Sequence, residues 1–247
     1  MSFNFSPKII TDKLVFCVDA ANMNSYPGGG TVWNPLVDKY EIGGTLVNGP
    51  IFSSENLGTI VFDGTDDYVQ SNITYADKIV EKMSFDVWLK RTQDTGHTPI
   101  VFSCNLPYLS FRGSSAGGSN GNKFLFSFVT RLSGAPTQRY LYSINTYTDN
   151  VWYNVVCTLD IDTISGTLDS KMYIDGELIN TYSLPSSSLD SLYPISTINR
   201  LRLGYYTDSY PTPLPFKGNI PTFKIYEKIL SADEVKQNYN ALKNRYI

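Results

Sequence analysis

Residues 84–91 read SFDVWLKR. In an extended chain Phe85, Val87 and Leu89 fall on one side, and Ser84, Asp86, Trp88 and Lys90 on the other. A period of two is the mark of a strand with unlike faces. Residues 14–19 (LVFCVD) and 152–159 (WYNVVCTL) are apolar runs of strand length. Within 172–181 (MYIDGELINT), Asp175-Gly176 predicts a tight hairpin, because both residues tolerate positive φ. Alternation then assigns Phe16, Phe85, Val87, Leu89, Val155, Cys157 and Ile174 to the core.

Outward from these runs, strands are expected at 59–62, 68–71, 99–104, 108–112, 123–130, 139–144, 199–205 and 217–226. Short strands separated by turn residues are the signal of an all-β sandwich or barrel. Only the last part changes period. Ser231 and Glu234 form a capping box, Leu230 can pack on Val235, and Val235, Tyr239 and Leu242 share one helical face. A short helix over 231–244 is expected to dock on the end of the sandwich. No linker or repeat divides the chain, so 1–247 reads as one domain, with 1–13 as an N-terminal arm.

Composition supports this and excludes several functions. Of 247 residues 42% are hydrophobic and only 17% charged, with 18 Tyr and 13 Phe, which suits pleated, half-buried surfaces. A net charge of −3 argues against nucleic acid, which needs a basic face. No run of apolar residues is long enough to span a bilayer, so no membrane insertion is expected. The N-terminal residues lack the basic start and apolar core of a signal peptide, so synthesis in a cytosol is expected. The three cysteines, Cys17, Cys104 and Cys157, read as reduced structural thiols, because their number is odd and no C-x-x-C occurs.

Taken in order, 83–90 (MSFDVWLK), 152–159, 172–181, 201–204 (LRLG), 216–226 (FKGNIPTFKIY) and 230–239 (LSADEVKQNY) resemble the laminin-G-like, concanavalin A-like lectin/glucanase family. Residues 14–19, 25–30 (SYPGGG) and 62–69 (FDGTDDYV) add to the likeness. The version it resembles recurs in bacteriophage virion proteins and bacterial surface proteins. The resemblance implies a two-sheet antiparallel jelly roll that binds glycan or protein at a sheet face or rim loop, sometimes with calcium. It also implies a capsid decoration role on a virion, with other virion proteins of capsid or tail and surface glycans as partners.

The residues themselves weigh against catalysis. Glucanases of this family carry an E-x-D-x-x-E strand, because two carboxylates must flank one glycosidic bond. None of the six glutamates begins such a pattern, and the lone histidine, His97, sits in a polar loop. Asp86 and Trp88 share a strand face and form one candidate sugar platform. The loop 205–216 (YYTDSYPTPLPF) offers Tyr206, Tyr210 and Phe216 as another. Prolines stiffen that loop, and its rings either stack on a ligand or cover the sandwich end. Tyr140 and Tyr142 share a strand face and either line the concave sheet or simply point outward. Asp63, Asp66 and Asp67 have the oxygen chemistry calcium favours, although the same residues make an ordinary tight turn. Asp19 is a further oxygen donor for such an ion. The expected function is non-enzymatic binding. Its rivals are a glycoside hydrolase or polysaccharide lyase on the same fold, and a structural cement protein with no ligand.

Overall fold

The structure, a computed structural model, describes residues 7–74, 81–94, 98–104, 107–114, 118–132, 135–162, 164–185, 189–192, 200–206 and 214–247. The strands, in chain order, are β1 (Leu14–Asp19), β2 (Val37–Asp38), β3 (Thr45–Val47), β4 (Ile51–Ser53), β5 (Thr59–Asp63) and β6 (Tyr68–Thr74). Next come β7 (Lys82–Arg91), β8 (Ile100–Ser103), β9 (Tyr108–Phe111), β10 (Phe124–Leu132), β11 (Ala135–Tyr142) and β12 (Trp152–Asp162). β13 (Thr167–Ile174), β14 (Glu177–Leu184), β15 (Leu189–Leu192), β16 (Arg200–Leu203) and β17 (Lys217–Tyr226) complete them, before the helix α1 (Ala232–Leu242).

The strands form two antiparallel sheets, packed as a jelly-roll sandwich. The first runs β14-β13-β12-β7-β17-β1-β2, with β5 and β4 joined to β17. The second runs β11-β10-β9-β8-β16-β6-β3, with β15 on β10. The strand at 217–226 has the expected bounds, and most others differ by a few residues at their ends. The short strands β2, β3, β4 and β15 have too few residues to show a period.

β7 sits at the middle of the first sheet. Phe85 lies opposite Cys157 on β12 and Ile225 on β17, and Val87 opposite Val155 and Phe223. All of these are buried, as are Phe16, Leu89 and Ile174. Phe85 stacks on Phe102 of β8 with ring centroids 5.0 Å apart, which joins the sheets. The β13–β14 hairpin turns through Asp175 (φ 53°) and Gly176 (φ 81°), the positive-φ pair its sequence predicts.

The helix departs from expectation. It lies over the outer face of the first sheet, not on the sandwich end. The reason is the apolar character of that face: Trp88, Trp152, Val156 and Tyr226 alternate outward, and water is a poor neighbour for them. Val235 packs with Val156 and Tyr226. Tyr239 stacks on Trp88 at 5.7 Å, and Tyr246 lies 4.3 Å from Trp88 and 4.9 Å from Trp152. Ser231 caps α1 as expected: its Oγ accepts from Glu234 N–H (3.3 Å), and the Glu234 carboxylate accepts from Ser231 N–H (2.9 Å). Part of the N-terminal arm is tied to the same layer. Ile10 N–H donates to Asn238 Oδ1 (2.8 Å), and Tyr226 Oη donates to the Ile10 carbonyl (3.1 Å).

Beneath α1 lies a buried polar cluster centred on Asp86. Its Oδ1 accepts from Asn154 Nδ2 at 2.8 Å, and its Oδ2 from Asn238 Nδ2 at 3.0 Å and Lys224 Nζ at 3.3 Å. Lys224 and Asp86 are 2% and 0% exposed, so each neutralises a charge that burial would otherwise forbid.

Two stability predictions follow from this layer. Asp86→Ala strands Lys224 without its counter-charge and should cost about 3–5 kcal/mol in urea unfolding. Ser231→Ala removes only an N-cap oxygen and should cost about 1 kcal/mol. A tolerated Asp86→Ala would show that the cluster does not hold the helix.

Candidate functional site

Among the described residues, the outer face of the second sheet holds a cleft where β9, β10 and β11 pair. Register sets the residues there in rows. Tyr140 lies opposite Ser127, which lies opposite Tyr108, and Tyr142 lies opposite Leu125, which lies opposite Ser110. Leu109, Phe111, Phe124, Phe126 and Leu141 alternate inward to the core. Tyr140 and Tyr142 on β11 and Tyr108 on β9 thus flank Ser127 and Leu125 on β10. The result is a cleft of about 440 Å³ lined by Tyr108, Arg112, Gln138, Tyr140, Tyr142 and Tyr206, among others. That volume falls in the usual range for small-molecule sites.

Each wall is held from behind. Tyr206 meets Tyr108 edge-on at 5.4 Å, and its carbonyl accepts from Arg202 Nη1 (3.0 Å). Arg202 in turn donates to Gln70 Oε1 through Nε (3.0 Å) and Nη2 (2.8 Å). The rings of Tyr140 and Tyr142 lie 6.3 Å apart at 31°, and Tyr140 is 45% exposed, so its face is open to a ligand. Asn180 Nδ2 donates to the Tyr142 carbonyl (2.9 Å) and pins β11 to the edge of the first sheet. Gln138 Nε2 donates to Ser127 Oγ (2.8 Å).

Arg112 is the one charged side chain among the described residues of the lining. Its Nη1 donates to Tyr142 Oη at 3.1 Å. Its carbonyl accepts from Nη1 of Arg91 (2.8 Å), a side chain that is itself 1% exposed. Arg91 also donates to Asn122 Oδ1 (3.0 Å) and to Asp149, and lies 3.8 Å over the Phe111 ring. The backbone under Arg112 is therefore fixed to the core. Rings, amide, hydroxyls and a guanidinium can stack on and hydrogen-bond a polar ring. No carboxylate is among the described residues of the lining.

Of the residues singled out from the sequence, Tyr206 lies in this cleft, and Tyr140 and Tyr142 form its opposite wall. Tyr210 lies outside the described residues, as does His97. Phe216 is fully buried against Phe62 (6.3 Å), a core residue and not a rim ring. Asp86 and Trp88 do share a strand face, but α1 covers it and both are 0% exposed. They are out of reach of any ligand, because the outward face of a central strand is free only when no further layer packs on it. Arg112 and Tyr108 were not singled out from the sequence. The strand run 108–112 contained both, yet nothing local tells which face of a strand remains open.

Asp63, Asp66 and Asp67 do converge, with one oxygen from each within 4.8 Å of the others. Their carboxylates also order the turn: Asp67 Oδ2 accepts from Asp63 N–H (2.9 Å) and Asp63 Oδ1 from Thr65 N–H (2.7 Å). Burial, and after it the neighbouring Asp63 and Asp66 charges, raises the Asp67 pKa, although the hydrogen bond from Asp63 opposes this. Asp19 is already engaged, since its two oxygens accept from Arg245 at 2.8 and 2.9 Å. The cysteines are buried and free, and desolvation pushes the Cys17 thiol up to about 11 and those of Cys104 and Cys157 upward too. None is a nucleophile at neutral pH.

The chain belongs to the concanavalin A-like lectin/glucanases superfamily, whose laminin-G family model matches residues 63–236. No curated protein sequence matches it. Among solved structures it is similar to domain 4 of AbnA, a GH43 extracellular arabinanase from Geobacillus stearothermophilus, in complex with arabinotriose. That match has a TM-score of 0.59 and 18% identity, over 92% of this chain and 98% of that one. It is also similar to the binding domain of botulinum neurotoxin DC in complex with SialylT (TM-score 0.60, 12% identity, 94% and 52% of the two chains). A third likeness is to a mutant Trypanosoma rangeli sialidase displaying trans-sialidase activity (TM-score 0.61, 12% identity, 97% and 34%). The chain thus spans about half of the toxin binding domain and a third of the sialidase. At these identities the likeness is one of fold. No helix among the described residues is long and apolar enough to cross a membrane.

The turn yields a test for calcium. Asp67→Asn keeps an oxygen for Asp63 N–H and removes a carboxylate whose charged form is disfavoured. A raised folded-state pKa lowers stability as pH rises through it, so in EDTA at neutral pH the variant should melt at or above the parent temperature. A calcium-dependent rise in the parent's melting temperature, lost in the variant, is the result a bound ion would give.

Proposed function

We propose that this chain is a non-enzymatic glycan-binding domain whose ligand lies in the cleft on the outer face of the second sheet. The observation that carries the reading is the placing of Tyr140 and Tyr142 across from Tyr108 and Tyr206 over Leu125 and Ser127, in a cleft without a described carboxylate. Aromatic faces are suited to the apolar faces of sugar rings, and rigid tyrosines lose little entropy on binding. The arabinotriose complex of the similar arabinanase domain supports the ligand class. The wider reading is a capsid decoration protein on a phage virion, with capsid or tail proteins as neighbours. Its support is the sequence resemblance, and mass spectrometry of purified particles from the source tests it.

An open cleft buries little area, so single sites should bind weakly and multivalent display should raise avidity. On a glycan array run with and without calcium, Tyr140→Ala should lower affinity for the best ligand about tenfold, the equivalent of about 1.4 kcal/mol. The double variant Tyr140→Ala/Tyr206→Ala should lose binding while keeping its circular dichroism spectrum. Unchanged binding in that folded variant would move the site elsewhere. Turnover of any bound polysaccharide would instead favour the hydrolase or lyase reading.

A further inference from the structure

We infer that Lys224 and Asn238 join through their side chains in an amide, an isopeptide bond, with Asp86 carrying the protons. The bond fastens α1 to β17 by a covalent link. It is independent of the glycan-binding reading.

The three side chains meet beneath the helix: Lys224 on β17, Asp86 on β7 and Asn238 on α1. They are 2%, 0% and 1% exposed, in a layer where Cys17, Val156, Tyr226 and Val235 pack together. Burial keeps water from competing for the amine, and a lysine held out of water is a strong nucleophile once it loses its proton. One carboxylate oxygen brings the reacting nitrogens together. Asp86 Oδ2 accepts from Lys224 Nζ at 3.3 Å and from Asn238 Nδ2 at 3.0 Å. Such positioning replaces a chance encounter by a pre-assembled one. Ile10 N–H donates to Asn238 Oδ1 at 2.8 Å, the atom that gains negative charge when an amide carbon is attacked. Asn238 Nδ2 also donates to Tyr226 Oη at 3.0 Å, which fixes the amide plane. Asn154 meets Asp86 through the other oxygen, at 2.8 Å, and its own Oδ1 is buried without a donor among the described residues. The geometry therefore selects Asn238 over Asn154.

Lys224 begins as the ammonium and Asp86 as the carboxylate. A proton passes from Nζ to Asp86, and the amine attacks Cγ of Asn238. The Nζ–Cγ bond forms while the carbonyl electrons move onto Oδ1, against Ile10 N–H. Asp86 gives its proton to Nδ2, the Cγ–Nδ2 bond breaks and ammonia leaves. Asp86 keeps the second proton that Nζ sheds. Nothing is oxidised or reduced. The buried ion pair becomes two neutral groups, which favours the product because charges are costly to hold out of water.

The test is mass spectrometry of the full chain after incubation at neutral pH. Trypsin should release residues 218–228 uncut at Lys224 and joined to 237–243, lighter by one ammonia than the two peptides together. The joined pair should account for more than half of the material, and fragmentation should place the link on Asn238 and not on Asn240. Asp86→Asn keeps the size of the side chain and removes the proton carrier, and Lys224→Met removes the nucleophile. Neither variant should give the joined pair while its circular dichroism spectrum shows a folded sandwich. If both variants fail to fold, the parent chain decides alone. Cleavage after Lys224 and free 237–243 in nearly all of the parent overturn the proposal. So does a link to Asn154, or a joined pair that persists in folded Asp86→Asn.

Discussion

The central strand β7 has to bury both of its faces. Its inward residues Phe85, Val87 and Leu89 meet the second sheet, and its outward residues Asp86 and Trp88 meet α1 and the turn after it. A sandwich needs only two layers, but here the flanking strands also carry apolar groups outward, Val156 and Trp152 on β12 and Tyr226 on β17. Water cannot be left against that much apolar surface, so a third layer of helix and N-terminal segment covers it. The buried Asp86–Lys224 pair is a consequence. It became enclosed with the surface around it, and the two asparagines fill its remaining hydrogen-bonding capacity.

Closing one outer face removes its side chains from any ligand. With the centre of the first sheet covered, the cleft described above is lined by rings on β9 and β11 of the second. The two faces of the molecule thereby divide the work. The first sheet and its helix supply stability, and the second presents side chains whose inner neighbours are locked in the core. Arg91 links the two, since it rises from β7, crosses between the sheets and holds the main chain at Arg112. Damage to the packing at β7 should therefore be felt in the cleft without any contact to ligand.

Sequence reasoning reached the strands with clean alternation, the hairpin at Asp175-Gly176 and the capped helix, because each is encoded within a few neighbouring residues. It named three of the cleft's described residues. Tyr206 was offered as a ring that either meets a ligand or covers the sandwich end, and Tyr140 and Tyr142 as rings lining the sheet or pointing outward. Tyr206 proves largely buried at the cleft, while Trp88, Asp86 and Phe216 looked equally available and are fully buried. The difference lies in what packs on each residue. Period two says that Trp88 and Phe85 face opposite ways, but not that a helix 150 positions further on stacks Tyr239 over Trp88.

By itself the sequence determined the class of fold, the inward set of the core and the position of the helix N-cap, since alternation, turn conformations and capping are local physics. Tertiary structure alone decided which polar and aromatic faces stay open. Exposure is a property of the layers that finally meet, and whether Arg112 or Asp86 can reach a ligand depends on contacts between residues far apart in the chain.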